Sequence, residues 1–320
     1  MEQSGTSAAI RLVRYSELKP CYDAFIDTRT PGSDQKENFT IIGPGVSENP
    51  KQHVHIAIPH GFNIGGARQP PGCVNSQHSH DTAEFFYVHS GTWSFDLGET
   101  GEDASMILHP GDAISIPTQL FRDFKNVGDD IGFLFAVLGG DDPGRVMWAP
   151  YVFDMAEEYG LVLLESGRLI DTTAGEQLDK GMQPMPRTSQ AQVDALQRFD
   201  EAALRRCCVL ASDEVPGERS EGVARRRIVH SDGQLNWPHE FAVEEVRIEP
   251  GVALELGAVA ENQVVFVQSG ALSIEGCGTE VLGTGDTATI DPCAERALCN
   301  RSVEPVVAVL VTATHAPKAH

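Results

Sequence analysis

The stretch PGCVNSQHSHDTAEFFYVHSG, Pro71 to Gly91, decides the reading of this chain. It opens on the turn pair Pro71-Gly72 and closes on Ser90-Gly91, which are strong local breakers. Inside it, Glu84-Phe-Phe-Tyr-Val88 has the aromatic and β-branched character of a strand. His78, His80 and Glu84 share parity. On a strand, side chains of one parity face one side, so two imidazoles and a carboxylate are expected on a common face. That is the donor set of a facial metal triad.

Working outward, residues 53–140 continue as short strands such as Thr92-Trp-Ser-Phe-Asp-Leu97, broken at turns such as Pro110-Gly111-Asp112. Strands at this spacing predict a sandwich or barrel. The middle differs. Residues 149–160 and 189–206 carry helical spacing, with Ser189 as the N-cap of the second helix. Strand patterning resumes near residue 207 and runs to about 314, and the tail HAPKAH is expected to fray. This divides the chain into an N-terminal barrel (1–140), a partly helical connector (141–206) and a C-terminal barrel (207–320).

An internal repeat supports the division. Pro59-His60, Phe62, Arg68, Pro71-Gly72 and Ser90-Gly91 recur, without a gap, as Pro238-His239, Phe241, Arg247, Pro250-Gly251 and Ser269-Gly270. A second block pairs Gly111-Asp112 with Gly285-Asp286, Ile116 with Ile290, Arg122 with Arg296 and Asn126 with Asn300. The register changes between the blocks, which places extra residues of the first copy in the acidic segment GETGEDASMI. A hairpin tip tolerates such an insertion.

The formal net charge of −22 sets an acidic surface against nucleic acid and against anionic membranes. The first residues, MEQSGTSAAIRLVRYSELKP, show no apolar signal region, and no run reaches the length of a membrane span. Seven cysteines without a C-x-x-C predict reduced thiols in a cytoplasm. No nucleophile-elbow, P-loop or dinucleotide fingerprint occurs.

The motif resembles that of the cupin family, G-x5-H-x-H-x3-4-E-x6-G, met here by Gly72, His78, His80, Glu84 and Gly91. The family's second motif, G-x5-P-x-G-x2-H-x3-N, is met by Gly111, Pro117 and Asn126. Gln119 stands where that motif has its second glycine, and Arg122 where it has its histidine, usually the remaining metal ligand. A guanidinium stays protonated and offers no lone pair, so Arg122 cannot ligate. The resemblance implies an all-β fold, two tandem cupin barrels of jelly-roll type (a double-stranded β-helix) joined by the partly helical connector. In the second copy the ligand positions fall on Gly257, Val259 and Gln263, so the second barrel reads as metal-free.

Two states of the first site follow. In one, a divalent ion sits on His78, His80 and Glu84, and Arg122 holds an anionic group of the substrate. In the other, Arg122 pairs with Glu84 and no ion binds. Arg296 opposite Gln263 shows that arginine at this place needs no carboxylate. The resemblance implies Fe(II) as the default ion, with Mn, Ni and Zn as alternatives, and a dioxygenase acting on a small anionic or phenolic compound. A metal-dependent isomerase, lyase or hydrolase and a non-catalytic ligand-binding cupin are the other readings. Arg122, Gln119 and Phe86 are the expected substrate contacts, with Arg122 also the catalytic candidate. Phe121, Trp93 and Trp148 are further wall candidates. His60 and His239 are read as barrel-packing or turn residues because they repeat, and Arg68 and Arg247 as salt-bridge partners. The two barrels can pair internally or form a homodimer.

Overall fold

The structure is a computed structural model and describes residues 10–212, 217–233, 235–257, 259–276, 279–290, 292 and 296–315. Cys277, Cys293 and the tail from Ala316 to His320 lie outside the described residues. The described chain forms two compact units. The first takes Lys19–Ala57 and Asn63–Ser212; the second takes Ile58–Phe62 with the described parts of Met1–Leu18 and Asp213–His320.

The first unit has two facing sheets. One has seven strands in the order Val209–Leu210, Ala113–Ile116, Glu84–Ser90, Gly132–Gly139, Phe62–Gln69, Glu37–Ile42, Val54–Ile56. The other has five, in the order Val146–Trp148, Val74–His80, Arg122–Asn126, Trp93–Leu97, Ala104–Leu108. Period-2 patterning aims one face of each strand inward: Ala104, Met106 and Leu108 are buried while Ser105 and Ile107 are exposed. Phe86, Val88 and Leu134 from the larger sheet meet Trp93, Phe95 and Phe124 from the smaller. Full burial of such side chains contributes about 1.5–3 kcal/mol each. Closeness is enforced at Gly91 and Gly132. A β-carbon on Gly91, whose φ is 84°, would stand 2.6 Å from the Gly132 α-carbon, and one on Gly132 would stand 2.8 Å from the Trp93 ring.

The first connector helix, Pro150–Glu158, begins with proline at its first position, where a missing N–H costs nothing. The second expected helix is corrected. Ser189 does cap it, with a reciprocal Gln192 bond, but the helix runs only over Gln190–Asp194 and a new one starts at Glu201–Cys208. The break has two causes. The Gln197 backbone N–H donates to the Gln119 carbonyl at 2.8 Å, and the Asp200 side chain accepts from Ala203 N–H at 2.8 Å as a fresh cap.

The second unit repeats the plan. Its seven-stranded sheet runs Ile10–Val13, Thr287–Ile290, Gln263–Ser269, Val306–Ala313, Phe241–Ile248, Val223–Val229, Glu218–Ser220, and a four-stranded sheet runs Ala253–Leu256, Arg296–Cys299, Leu272–Glu275, Glu280–Leu282. Phe62–Gln69 matches Phe241–Ile248, Glu84–Ser90 matches Gln263–Ser269, and Gly132–Gly139 matches Val306–Ala313, each end to end in the register of the repeat. The inserted residues fall in the turn between Trp93–Leu97 and Ala104–Leu108. One edge strand of each seven-stranded sheet comes from a segment distant in sequence from its partner. Ile10–Val13 pairs with Thr287–Ile290 in the second unit, and Val209–Leu210 pairs with Ala113–Ile116 in the first. The fold is therefore all-β, two units of paired sheets built on one plan, as the sequence predicts. Among the described residues, Cys21, Cys73, Cys208 and Cys299 are free thiols, and no helix is long and apolar enough to cross a membrane.

Candidate metal centre

The three expected ligands do not share one strand. Val74–His80 belongs to the five-stranded sheet and Glu84–Ser90 to the seven-stranded one. The chain crosses between sheets at Asp81–Ala83, so a corner, not common parity along one strand, brings Glu84 to the histidines. The expectation of a single strand face is corrected accordingly. The convergence itself is present: one donor atom from each of His78, His80 and Glu84 lies within 4.8 Å of the other two, and all three residues are buried.

The strand carrying the histidines lies between its neighbours in register, with Trp148 and Arg122 both opposite His78. The His78 ring packs on Trp148 at 5.3 Å between centroids. Its Nδ1 is 2.6 Å from the Ser76 carbonyl, so this nitrogen donates and Nε2 keeps its lone pair. His80 Nε2 is 3.5 Å from Glu84 Oε2, and its buried Nδ1 has no hydrogen-bond partner. Burial first, then the charge of Arg122, lowers both imidazoles well below their ordinary range. They are neutral and able to ligate. Burial raises the Glu84 carboxyl, opposed by the charge and hydrogen bond of Arg122.

Arg122 is 1% exposed. One Nη2 hydrogen goes to Glu84 Oε2, and Nη1 donates to the His78 carbonyl at 3.0 Å. The guanidinium thus ties the carboxylate of one sheet to the backbone of the other. In the second unit Arg296 Nη2 donates to Gln263 Oε1 at 3.2 Å, the same clamp with an amide in place of the carboxylate.

A divalent cation fits these residues. Two neutral imidazoles and a carboxylate are a borderline-to-hard donor set. Arg122 engages Oε2 and leaves Glu84 a second oxygen. The partner on His78 Nδ1 is the outer-shell contact that orients a ligating imidazole. Behind it, Asp27 Oδ2 accepts from Ser76 N–H at 2.9 Å. Lys36 Nζ pairs with Asp27 and donates to Asn75 Oδ1 at 3.0 Å. Lys36 and Asp27 are both fully buried. Sequence reasoning misses this support because residues 27–36 lie in turns without periodicity.

The triad opens on a cavity of about 70 Å³ whose apolar wall includes Phe25, Phe39, Phe86, Phe124 and Trp148. A buried water needs roughly 10–15 Å³ of such space, so the cavity holds a few waters or one small molecule. Phe86 lines the cavity, as does Trp148. Arg122 does not line it. Gln119 is exposed, lies with His80 and Gln192 in a separate cleft, and has a φ of 59°. That left-handed conformation is one that glycine adopts most readily. Trp93 belongs to the barrel core and Phe121 to the cluster around Val152 and Trp148. His60 and His239 each bond, through Nδ1, the carbonyl two residues back. Arg68 pairs with Glu37 and Arg247 with Glu249. Beside the cavity, buried Glu48 accepts from Trp148 Nε1 at 2.7 Å and from Ile26 N–H at 2.6 Å. Burial raises its carboxyl to about 8.

Residues 67–138 match the family model described as Cupin domain. Structures of oxalate decarboxylase from Bacillus subtilis share the fold. The enzyme at pH 4.6 aligns at 13% identity with TM-score 0.60, over 98% of this chain and 78% of that one. A structure from work on its Mn(II) centres aligns at 13%, TM-score 0.60, over 99% and 79%. A structure from work on the substrate binding mode of oxalate decarboxylase aligns at 14%, TM-score 0.60, over 99% and 79%. At such identity the likeness speaks for the fold. No curated protein matches by sequence. The chain thus has the two-barrel, bicupin fold of these structures, with a match to the Cupin domain over residues 67–138.

Proposed function

We propose that this chain is a metal-dependent cupin enzyme whose first barrel holds a divalent cation on His78, His80 and Glu84. The observation that carries this reading is the buried convergence of the three donors within 4.8 Å on a largely apolar cavity. Fe(II) is the first choice of ion and a mononuclear dioxygenase the first choice of reaction, with a small anionic or phenolic compound as substrate. Mn, Ni and Zn are the alternative ions. A bound ion would supply open coordination positions at which substrate and a second reactant meet. The protein's own part is to keep both imidazoles neutral, to hold the carboxylate in place through Arg122, and to exclude bulk water with its aromatic wall. Arg122 acts as a positioning residue, since its bonds go to Glu84 and the His78 carbonyl. Surface charge still opposes nucleic-acid and membrane partners, and a small molecule is the proposed partner, with the cytoplasm as the proposed site of action and a homodimer as the proposed assembly.

A second reading has its own observation. The Arg122–Glu84 pair recurs as Arg296–Gln263, where the described residues hold no such ligand set. On that reading the barrel is a non-catalytic binder of a small molecule. Metal analysis of protein purified without chelator separates the two: about one equivalent of a transition metal, lost in His78→Ala, supports the enzyme, and a metal-free protein refutes it. Substrate-dependent oxygen uptake after anaerobic Fe(II) loading then separates a dioxygenase from a lyase, isomerase or hydrolase of the same fold.

A further inference from the structure

We infer that the part of the cavity away from the triad is a recognition site for an uncharged group carrying both a hydrogen-bond acceptor and a donor, read by Asn38 and Gln52. The inference deepens the proposed function, resting on the reading that this cavity takes the substrate. Asn38 and Thr40 alternate on one face of Glu37–Ile42, and both line the cavity. That strand is separated from Glu84–Ser90 by two others in the sheet. Gln52 reaches the same cavity from the segment before Val54–Ile56. Its Nε2 donates to Thr40 Oγ1 at 2.7 Å, which fixes the orientation of the amide.

Two polar atoms at this end are unsatisfied. Asn38 Nδ2 and Gln52 Oε1 are both shielded from solvent without a hydrogen-bond partner. Asn38 is only 7% exposed. Native interiors rarely leave such atoms unpaired, and a ligand group that pairs them removes the cost. A lone donor calls for an acceptor, and a lone acceptor calls for a donor. An amide, or a hydroxyl beside a carbonyl, provides both. A carboxylate provides only acceptors.

Charge points the same way. Among the described lining residues there is no lysine or arginine, and the carboxylate of Glu84 is the one acidic side chain. Arg122 is engaged with Glu84 and Lys36 with Asp27. A carboxylate placed beside Asn38 would therefore be buried without a counter-charge. An ion on the triad can balance an anionic group at its own end, but not at the amide end. The substrate class assigned is a small molecule whose distal group is a neutral amide, ketone or hydroxyl, in place of a dicarboxylate.

Acetamide and acetate test this directly, being nearly isosteric and small enough for the cavity. The experiment follows the side-chain amide resonances of Asn38 and Gln52 in nitrogen-15-labelled full-length protein stripped of metal, with Asn38→Leu and Gln52→Leu assigning them. Expected is a saturable acetamide shift of both resonances. Acetate should need at least tenfold more to reach the same fraction, and each variant should weaken acetamide at the remaining amide at least fivefold. Gln52→Leu, at the better-exposed position, keeps the test usable where Asn38→Leu does not fold. Equal response to acetate, no response to either probe, or unchanged acetamide binding in the folded variants would overturn the inference. Because the probes are read without metal, a failed metal analysis refutes the proposed function and leaves this result standing, and the reverse holds too.

Discussion

Glu84 and Gln263 occupy equivalent places and both receive an arginine Nη2. This comparison inside one molecule predicts the outcome of Glu84→Gln. The amide keeps the hydrogen bond from Arg122, so the barrel folds. The variant loses about 1–3 kcal/mol, less than the roughly 3–5 kcal/mol expected when a buried pair loses one partner outright, as in Arg122→Ala. Its metal content falls below a tenth of wild type, because an amide oxygen is a poor replacement for the carboxylate donor. Urea unfolding and metal analysis on the same preparations check both halves. Glu48 makes a pH prediction. Its carboxyl is raised by burial to about 8 in the folded protein from an ordinary 4.5. Its contribution is therefore fully present below the unfolded value and is lost as pH rises through the folded one. Stability attributable to Glu48 should fall between about pH 5 and pH 8. The fluorescence of Trp148, whose Nε1 donates to Glu48, should titrate with a midpoint near 8. A flat signal from pH 6 to pH 9 would remove Glu48 as a titrating group.

At the scale of elements, strands are easier to read than their ends and corners. The aromatic alternation of Glu84–Ser90 and the Gly-bounded turns identify barrel strands without a fold in view. Two strands outside residues 53–140, Ile10–Val13 and Glu37–Ile42, fall beyond that reading, since a strand of four or six residues carries little period of its own. The helix expected over 189–206 fails for a different reason. Its periodicity is real, but Asp200 competes as a cap, and Gln197 finds a partner on Gln119. Asp200→Ala removes the cap on Ala203 N–H and should cost about 1 kcal/mol. Circular dichroism and thermal unfolding measure it. No loss of stability would mean that packing of Leu204, which is fully buried, holds this helix unaided.

At the scale of the whole molecule, the strand that ends the first unit has a measurable consequence. A chain ended at residue 206 lacks Cys208, Val209 and Leu210, all at most 3% exposed in the first unit, together with the strand paired to Ala113–Ile116. A chain of residues 19–212 retains them. The shorter end should therefore unfold several degrees earlier when residues 19–206 are compared with 19–212 by calorimetry. Equal melting would show that this strand adds nothing to the barrel. From the amino-acid order alone came the repeat, the two barrels and the choice of His78, His80 and Glu84, which the fold brings together, because period-2 patterning, turn residues and motif spacing are local properties. Folding in three dimensions decided the rest. Asn38, Gln52, Lys36 and Asp27 reach the cavity or its support from segments whose sequence neighbours carry no metal ligand. The place of Arg122 depended on a contact between sheets, and whether a buried guanidinium meets a substrate or a carboxylate is set by which charge lies closest to it once water is excluded.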